Sequence, residues 1–349
     1  MMANPDRIPI ETVPAADHPA GLALGAAPVR IGDLEVANPV WMAPMAHYTN
    51  SAARTIAKRF GAGLVYTEMI AAPHFVHSGR QYADVATYEE EERPIGAQMA
   101  PLSPADAGEA ARIFTDMGFD MIEINMACPA PKIVKRGRGG GLLRDHRLAC
   151  DIAAAVAERT DRPVTVKVRS GWDAEDGFTS IDLGPALVEA GADAIVLHAR
   201  YVKQLYKGPS NWLHIADMVD ACPAPVIGSG DLSDGAAAVR MLRETRCAAV
   251  TLARGAVGNP WAFPEALARL SGDPPPEPPT RDEVLAVMAE HCRLSAERGS
   301  WPREYHTLRR TLPKYARKMP GPSKPLSREL GDTRTREEWV AFKEKWGLA

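Results

Sequence analysis

The sequence predicts an α/β protein, a (β/α)8 TIM barrel followed by a small all-helical C-terminal domain. Three observations carry that prediction. Short β-rich apolar runs alternate with longer amphipathic stretches from about residue 39 to residue 252. Several helical stretches end in a glycine-bearing turn just before the next run, as in "FGAGLVYTE", "MGFDMIEIN" and "AGADAIVLH", where glycine supplies the left-handed residue after a helix. A proline cluster, "SGDPPPEPPT" (Ser271–Thr280), then breaks the alternation ahead of two further helical patterns.

In chain order the expected strands are Pro39–Met42, Leu64–Met69, Pro94–Met99, Met121–Asn125, Val164–Val168, Ala194–His198, Val226–Gly228 and Ala248–Leu252. Helices are expected at Ser51–Phe60, Pro104–Met117, Arg147–Glu158, Asp182–Ala190, Trp212–Val219 and Asp234–Glu244. "HFVHSGRQYADVATYEEEE", between the second and third strands, reads as a loop. Eight strands joined by crossovers favour a closed barrel over an open sheet. Beyond the prolines, Arg281–Glu297 and Arg303–Lys318 read as helices, with a kink at Pro313. The expected division is a disordered extension (1–28), a barrel (29–270), a linker (271–280) and a helical domain (281–349).

Composition narrows the function. No apolar run in the 349 residues approaches the ~18 needed to span a bilayer. The proline- and alanine-rich N-terminus lacks the basic and apolar regions of a secretion signal, so a cytoplasmic protein is expected. Five widely spaced cysteines include no C-x-x-C pair, so neither a disulfide framework nor a metal site is expected. Net charge is only −3, but from Arg298 to Lys318 seven basic residues stand against one acid, Glu304. That asymmetry suits a polyanion-binding face, with a solvated helix face as the alternative.

The active site of such a barrel lies at the C-terminal ends of its strands. The polar residues there are Met45 after strand one, Gln98 on strand three, Asn125 and Cys128 after strand four, Lys167 on strand five and His198 on strand six. "GSGD" (Gly228–Asp231) and "LARGAVGNP" (Leu252–Pro260) follow strands seven and eight, the usual place of a barrel phosphate site, where Arg254 adds a charge-assisted contact. A lysine on a buried strand needs an anion or an electron-rich ring beside it. "INMACPAPKIVKRGRGGGLLRD" sets a lone thiol, Cys128, before a basic, glycine-rich loop. Singly, each residue has an ordinary structural role open to it: His198 as a satisfied strand histidine, Gln98 as a loop cap, Cys128 as inert core. Their convergence on one rim favours a site.

On these residues the sequence resembles the tRNA-dihydrouridine synthases, especially their bacterial B-type branch, from "VRIGDLEVANPVWMAPMA" (Val29–Ala46) to the C-terminal helices. The motifs are "APMA" (Ala43–Ala46), "INMACPAPK" (Ile124–Lys132), "VTVKVRSGW" (Val164–Trp172), "HARYVKQLYKGPSNW" (His198–Trp212) and "NPWAF" (Asn259–Phe263). The resemblance implies reduction of the C5=C6 bond of particular uridines, with FMN as hydride carrier and NADPH as reductant. It implies that Pro44, Met45, Ala46, Gln98 and Lys167 line the isoalloxazine ring, with His198 near it. Ser229, Gly230, Asp231, Ala253 and Arg254 would hold the phosphate end. Asn125 and Arg169 would meet the substrate, and Cys128 would give the proton to C5 while hydride reaches C6. Lys132, Lys135, Arg136 and Arg138 on the loop, and Arg310 and Lys314 on the C-terminal helices, would grip RNA. Gly139–Gly141 would let the loop close and reopen.

The chain departs from the family's usual pattern at His47, Asn50, Ala127, Ser229 and Ala253. Serine still offers hydrogen bonds and alanine is small, so these bear less on the cofactor than on the substrate, where His47 and Tyr48 add bulk at the pocket mouth. The leading expectation is a monomeric uridine reductase acting on tRNA. The alternatives are a reductase of a small pyrimidine or enone, a dihydrouridine synthase acting on ribosomal RNA, and an RNA-binding protein with residual flavin binding. Cys150, Cys222, Cys247 and Cys292 are expected to be structural.

Overall fold

The computed structural model describes residues 26–78, 85–299, 301, 303–321 and 324–349. A short antiparallel hairpin, β1 (Val29–Ile31) and β2 (Leu34–Val36), comes first. The barrel strands follow as β3 (Val40–Met42), β4 (Val65–Tyr66), β6 (Ile95–Ala100), β7 (Met121–Met126), β8 (Val164–Gly171), β9 (Ala194–Tyr201), β10 (Val226–Ser229) and β11 (Ala249–Leu252). They pair in parallel in the order β3-β11-β10-β9-β8-β7-β6-β4, with a two-residue strand β5 (Ile70–Ala71) also on β6. Backbone bonds from Met42 N to Leu64 O and from Gly63 N to Val40 O, both 2.9 Å, join the two ends of that order. The eight expected strands all form, because each is an apolar run buried on both faces.

The crossover helices are α1 (Ser51–Arg59), α2 (Ala72–Ser78), α3 (Pro104–Asp116), α5 (His146–Ala157), α6 (Ser180–Glu189), α7 (Leu213–Ala221), α8 (Gly235–Thr245) and α9 (Ala262–Ser271), and a single turn, α4 (Pro131–Val134), lies in the loop after β7. Asn50, Ser103, Asp145 and Asp234 accept the backbone N–H three residues on and so start α1, α3, α5 and α8. Asn50, one of the departures from the family pattern, thus still does a cap's work. Helix α2 runs into the stretch expected to be loop, and α9 begins at the end of the "NPWAF" segment and continues to Ser271, where no helix was expected.

The hairpin explains why one end of the barrel is closed. Ile31 and Val36 pack with Trp41, Leu64, Met121, Ala194, Ile227 and Ala249 at the strands' N-terminal ends. That plug leaves the C-terminal end as the open one. Helix α9 is followed by an exposed segment, residues 272–280, without regular secondary structure.

Among the described residues four helices follow: α10 (Arg281–Arg298), α11 (Arg303–Ala316), α12 (Lys324–Asp332) and α13 (Arg336–Trp346). They share their own core, centred on Met288, Tyr305, Leu308, Leu312 and Trp339. Helix α11 continues across Pro313. Arg298 ties this domain to the barrel, donating to Ser51 Oγ (3.0 Å), Thr55 Oγ1 (2.6 Å) and Glu91 (3.0 Å). Residues 1–25 of the expected extension lie outside the described residues.

Candidate active site at the C-terminal rim

A chain of buried amides positions the thiol. On β7, Glu123 and Asn125 stand two residues apart and therefore share a face. Gln98, on β6, donates from Nε2 to Glu123 and accepts at Oε1 from Asn125 Nδ2 (2.9 Å). Asn125 Oδ1 in turn accepts from the backbone N–H groups of Ala127 (3.0 Å) and Cys128 (2.9 Å). The turn that carries Cys128 is therefore fixed from inside the barrel. The Cys128 thiol is half-buried, and burial raises its pKa against the lowering effects of the Ala130 N–H and Arg169. It is held protonated, the state a proton donor needs.

Lys167, on β8 beside Asn125 in register, is 7% exposed, and its ammonium has no hydrogen-bond partner. Burial lowers its pKa and Glu123 raises it. A buried ammonium left unpaired among the described residues calls for an acceptor from outside the chain.

Three sequence expectations change here. Arg169, expected against substrate, is buried and donates to three backbone carbonyls: Ala127 (2.9 Å), Tyr201 (3.0 Å) and Leu205 (2.7 Å). It braces the Cys128 turn to the loop after β9, and burial lowers its pKa to about 10, still a cation at neutral pH. Arg138, expected to grip RNA, is 5% exposed with Nε buried and without a partner, because its loop folds back onto the barrel. Gly139 and Gly140 are packing residues rather than hinges. A Cβ on Gly139 would lie 2.9 Å from Cys128 Cβ, and one on Gly140 2.7 Å from Val202. Lys132, Lys135 and Arg136 of the same loop are exposed.

Pro44, Met45 and Ala46 lie at the rim just after β3. Met45 O accepts from Tyr48 N and Thr49 N (both 3.1 Å), and Thr49 Oγ1 accepts from Met45 N (3.0 Å). His47 next to them has φ +68° and donates its backbone N–H to Glu68 (2.8 Å). A non-glycine residue there carries a modest backbone strain.

On the opposite arc, His198 is joined to Arg200, which had no expected role. Arg200 is 2% exposed and reaches His198 Nε2 (3.1 Å), both Asp231 carboxylate oxygens (2.6 Å each) and Gly208 O (2.8 Å). Burial first, then Arg169, Lys167, Arg200 and Arg254, hold the His198 pKa well below its ordinary value. The imidazole is neutral, and since Arg200 can only donate, Nε2 accepts and Nδ1 carries the proton.

Ser229, Gly230, Asp231, Ala253 and Arg254, expected to hold a phosphate, all line one cavity of about 490 Å3. Buried Thr251 Oγ1 also lines it and has no partner. Arg254 is exposed and only loosely paired with Asp231, at 3.5 Å. Lys167 Nζ and Thr251 Oγ1, both buried and without a partner among the described residues, are donors of the kind that would suit a flavin cofactor at this rim.

The basic segment of the last domain divides. Arg298 is used at the barrel contact and Arg309 donates to Gly331 O (2.9 Å), while Arg310 is exposed. Lys314, expected against RNA, instead lines the phosphate-type cavity together with Arg317. Sequence reasoning also missed Glu123 and Thr251. For Glu123 a signal existed: an acid two residues before Asn125 in an apolar strand must share its face.

A family model described as dihydrouridine synthase matches residues 41–345. A probable tRNA-dihydrouridine synthase of Mycobacterium tuberculosis is 35% identical over 322 residues, covering 89% of this chain and 82% of its own. A tRNA-dihydrouridine synthase B of Pseudomonas aeruginosa is 34% identical over 264 residues, covering 75% and 79%. Among solved structures, morphinone reductase in complex with tetrahydroNAD aligns with a TM-score of 0.52 at 17% identity, over 73% of this chain and 93% of that one. Histamine dehydrogenase from Rhizobium sp. 4-9 aligns with 0.52 at 15%, over 78% and 51%. At such identities the structural likeness concerns the fold.

Proposed function

The chain belongs to the dihydrouridine synthase family, and on that premise we propose that it reduces uridines of tRNA to 5,6-dihydrouridine, using FMN and NADPH. One observation carries the reading: a thiol kept protonated and a buried, unpaired ammonium stand at the same rim. When bound there, FMN supplies the hydride equivalent that C6 of the uracil receives.

The chain's own residues do the rest. Cys128 delivers its proton to C5 from the face opposite the flavin, so that the double bond becomes two C–H bonds. Asn125 and Arg169 hold the Cys128 turn in place through its backbone N–H and the Ala127 carbonyl. Asn125 Nδ2 keeps one hydrogen beyond its bond to Gln98, available to a uracil carbonyl. Lys167 and the Nδ1–H of His198 are the donors that would hold the flavin ring, Lys167 offering its N–H groups to an electron-rich edge. The target base must leave its stack, at a cost of a few kcal/mol. Exposed Lys132, Lys135 and Arg136 beside the thiol are placed to offset this by contacting phosphates. The protein acts as a monomer in the cytoplasm.

Nucleoside mass spectrometry on RNA from wild-type and deletion strains tests the reading, with loss of dihydrouridine at a tRNA position expected. Unchanged dihydrouridine in every RNA class, in a strain without a paralogue, refutes it. Loss confined to ribosomal RNA replaces the substrate and keeps the chemistry.

A further inference from the structure

The cavity at the phosphate-type turns is not made by the barrel alone. His198, Ser229 to Ser233, Thr251 and Ala253 to Gly255 supply the barrel's side of it, and Lys314 of α11 and Arg317, just past the end of that helix, supply the rest. Its lining carries three cations, Arg254, Lys314 and Arg317, against one carboxylate, Asp231, and that carboxylate is already held by Arg200. Among the described residues neither Lys314 nor Arg317 pairs with an acid. The Lys314 ammonium instead sits 5.6 Å over the ring of Tyr48 at the barrel mouth.

The contact between α11 and this loop is intimate. Gly258 has φ +65°, and a Cβ there would lie 2.5 Å from Tyr315 N and 2.7 Å from Lys314 Cβ. The loop after β11 therefore faces the cavity at Ala253–Gly255 and presses backbone to backbone on α11 three residues later. Asn259, donating to Gly255 O at 2.9 Å, locks the two halves of the loop together. The lining thus carries an excess of positive charge, and Thr251 within it has a hydroxyl without a partner among the described residues.

We propose that the C-terminal helical domain completes the cofactor's phosphate site, with Lys314 and Arg317 contacting the terminal phosphate of FMN. Cofactor retention and domain docking are then linked through the loop after β11. The inference rests on the flavin reading above and extends it to a role for α11 other than gripping RNA.

The test compares FMN with riboflavin, which lacks the phosphate, by fluorescence titration of the full-length apoprotein. For Lys314→Ala/Arg317→Ala, FMN affinity is expected to fall roughly ten- to a hundredfold, the scale of lost hydrogen bonds to a charged group. Riboflavin affinity should stay where it is. Arg310→Ala, exposed on the same helix and outside the cavity, should leave both unchanged. Lys314→Gln/Arg317→Gln keeps the apolar stems, so it repeats the measurement with the helix packing preserved. A wild-type preference for FMN in both double variants overturns the proposal and leaves the flavin reading standing. Wild-type protein that binds neither flavin overturns both.

Discussion

Replacing Asn125 by alanine should expose how the thiol is held. The substitution removes the acceptor of two backbone N–H groups, those of Ala127 and Cys128, and the donor to Gln98 Oε1. A buried polar group left unsatisfied costs about 1–3 kcal/mol. Ala127 and Gln98 are fully enclosed, whereas Cys128 is half-buried and water can reach it. The expected loss in urea unfolding of the apoprotein is therefore about 2–4 kcal/mol. Loss of turnover alone would not separate positioning from substrate contact. The discriminating readout is the alkylation rate of Cys128 against pH without RNA, followed peptide by peptide because Cys150 and Cys222 are also half-buried. A loosened turn should be better solvated, which lowers the pH at which Cys128 becomes reactive. Asn125→Asp adds a second arm. It keeps both N–H acceptors but sets a carboxylate against Gln98 Oε1, and Gln98 cannot flip without giving up Glu123. The variant should therefore be destabilised while its Cys128 turn stays in place. Stability of Asn125→Ala within about 0.5 kcal/mol of wild type, the range of an indifferent surface change, together with an unaltered alkylation profile, would refute the positioning argument.

Five further outcomes follow from the same geometry. Cys128→Ala should retain FMN and its reduction by NADPH yet lose most uridine turnover; full turnover would remove Cys128 as proton donor. Turnover in the wild type should also decline as pH rises through the elevated thiol pKa, where the donor form is lost. Arg169→Lys cannot serve carbonyls of Ala127, Tyr201 and Leu205 together, so it should cost about 2–3 kcal/mol, measured by urea unfolding. His291, buried between α10 and α11 against Tyr315 (3.1 Å), has its pKa lowered to about 4 by burial. Its contribution is complete above its ordinary pKa near 6.5 and disappears as pH falls toward 4, a loss of about 3 kcal/mol that His291→Gln should flatten in acid unfolding. Lys132→Ala/Arg136→Ala should reduce the slope of log affinity for tRNA against log salt by about 1–2, with flavin binding unchanged.

The barrel was legible because its strands are short, doubly buried apolar runs separated by glycine turns, a pattern that survives without any contact information. What sequence could not show lies where periodicity is silent. The strands of the plugging hairpin are three residues each, too short to show an alternation. Arg138 and Arg169 carry the same charge as Arg136, and only the fold decides that two are buried and one is exposed. Lys314 and Arg317 belong to a basic run whose composition suggests RNA. Their place beside the β11 loop follows from how two domains pack, and no local pattern encodes that packing.

The buried charges at the rim are unbalanced, and the imbalance has a direction. Lys167, Arg169 and Arg200 are all enclosed on β8 and β9. Asp231 answers Arg200, carbonyls answer Arg169, and Glu123 influences Lys167 without forming an ion pair among the described residues. Burial pushes Glu123 upward, toward its neutral form, which weakens that answer further. The uncompensated field is positive, and after burial it is what holds the His198 pKa down. In a site of low polarity such a field favours bound ligands that carry or develop negative charge. A phosphate at one end of the cavity and an electron-rich ring beside Lys167 both meet that condition. On the reading proposed above, so would a uracil whose O4 gained charge as C6 received hydride. The same charge excess that is costly to bury therefore favours a bound anion, so flavin binding should raise the protein's stability as well as supply its chemistry.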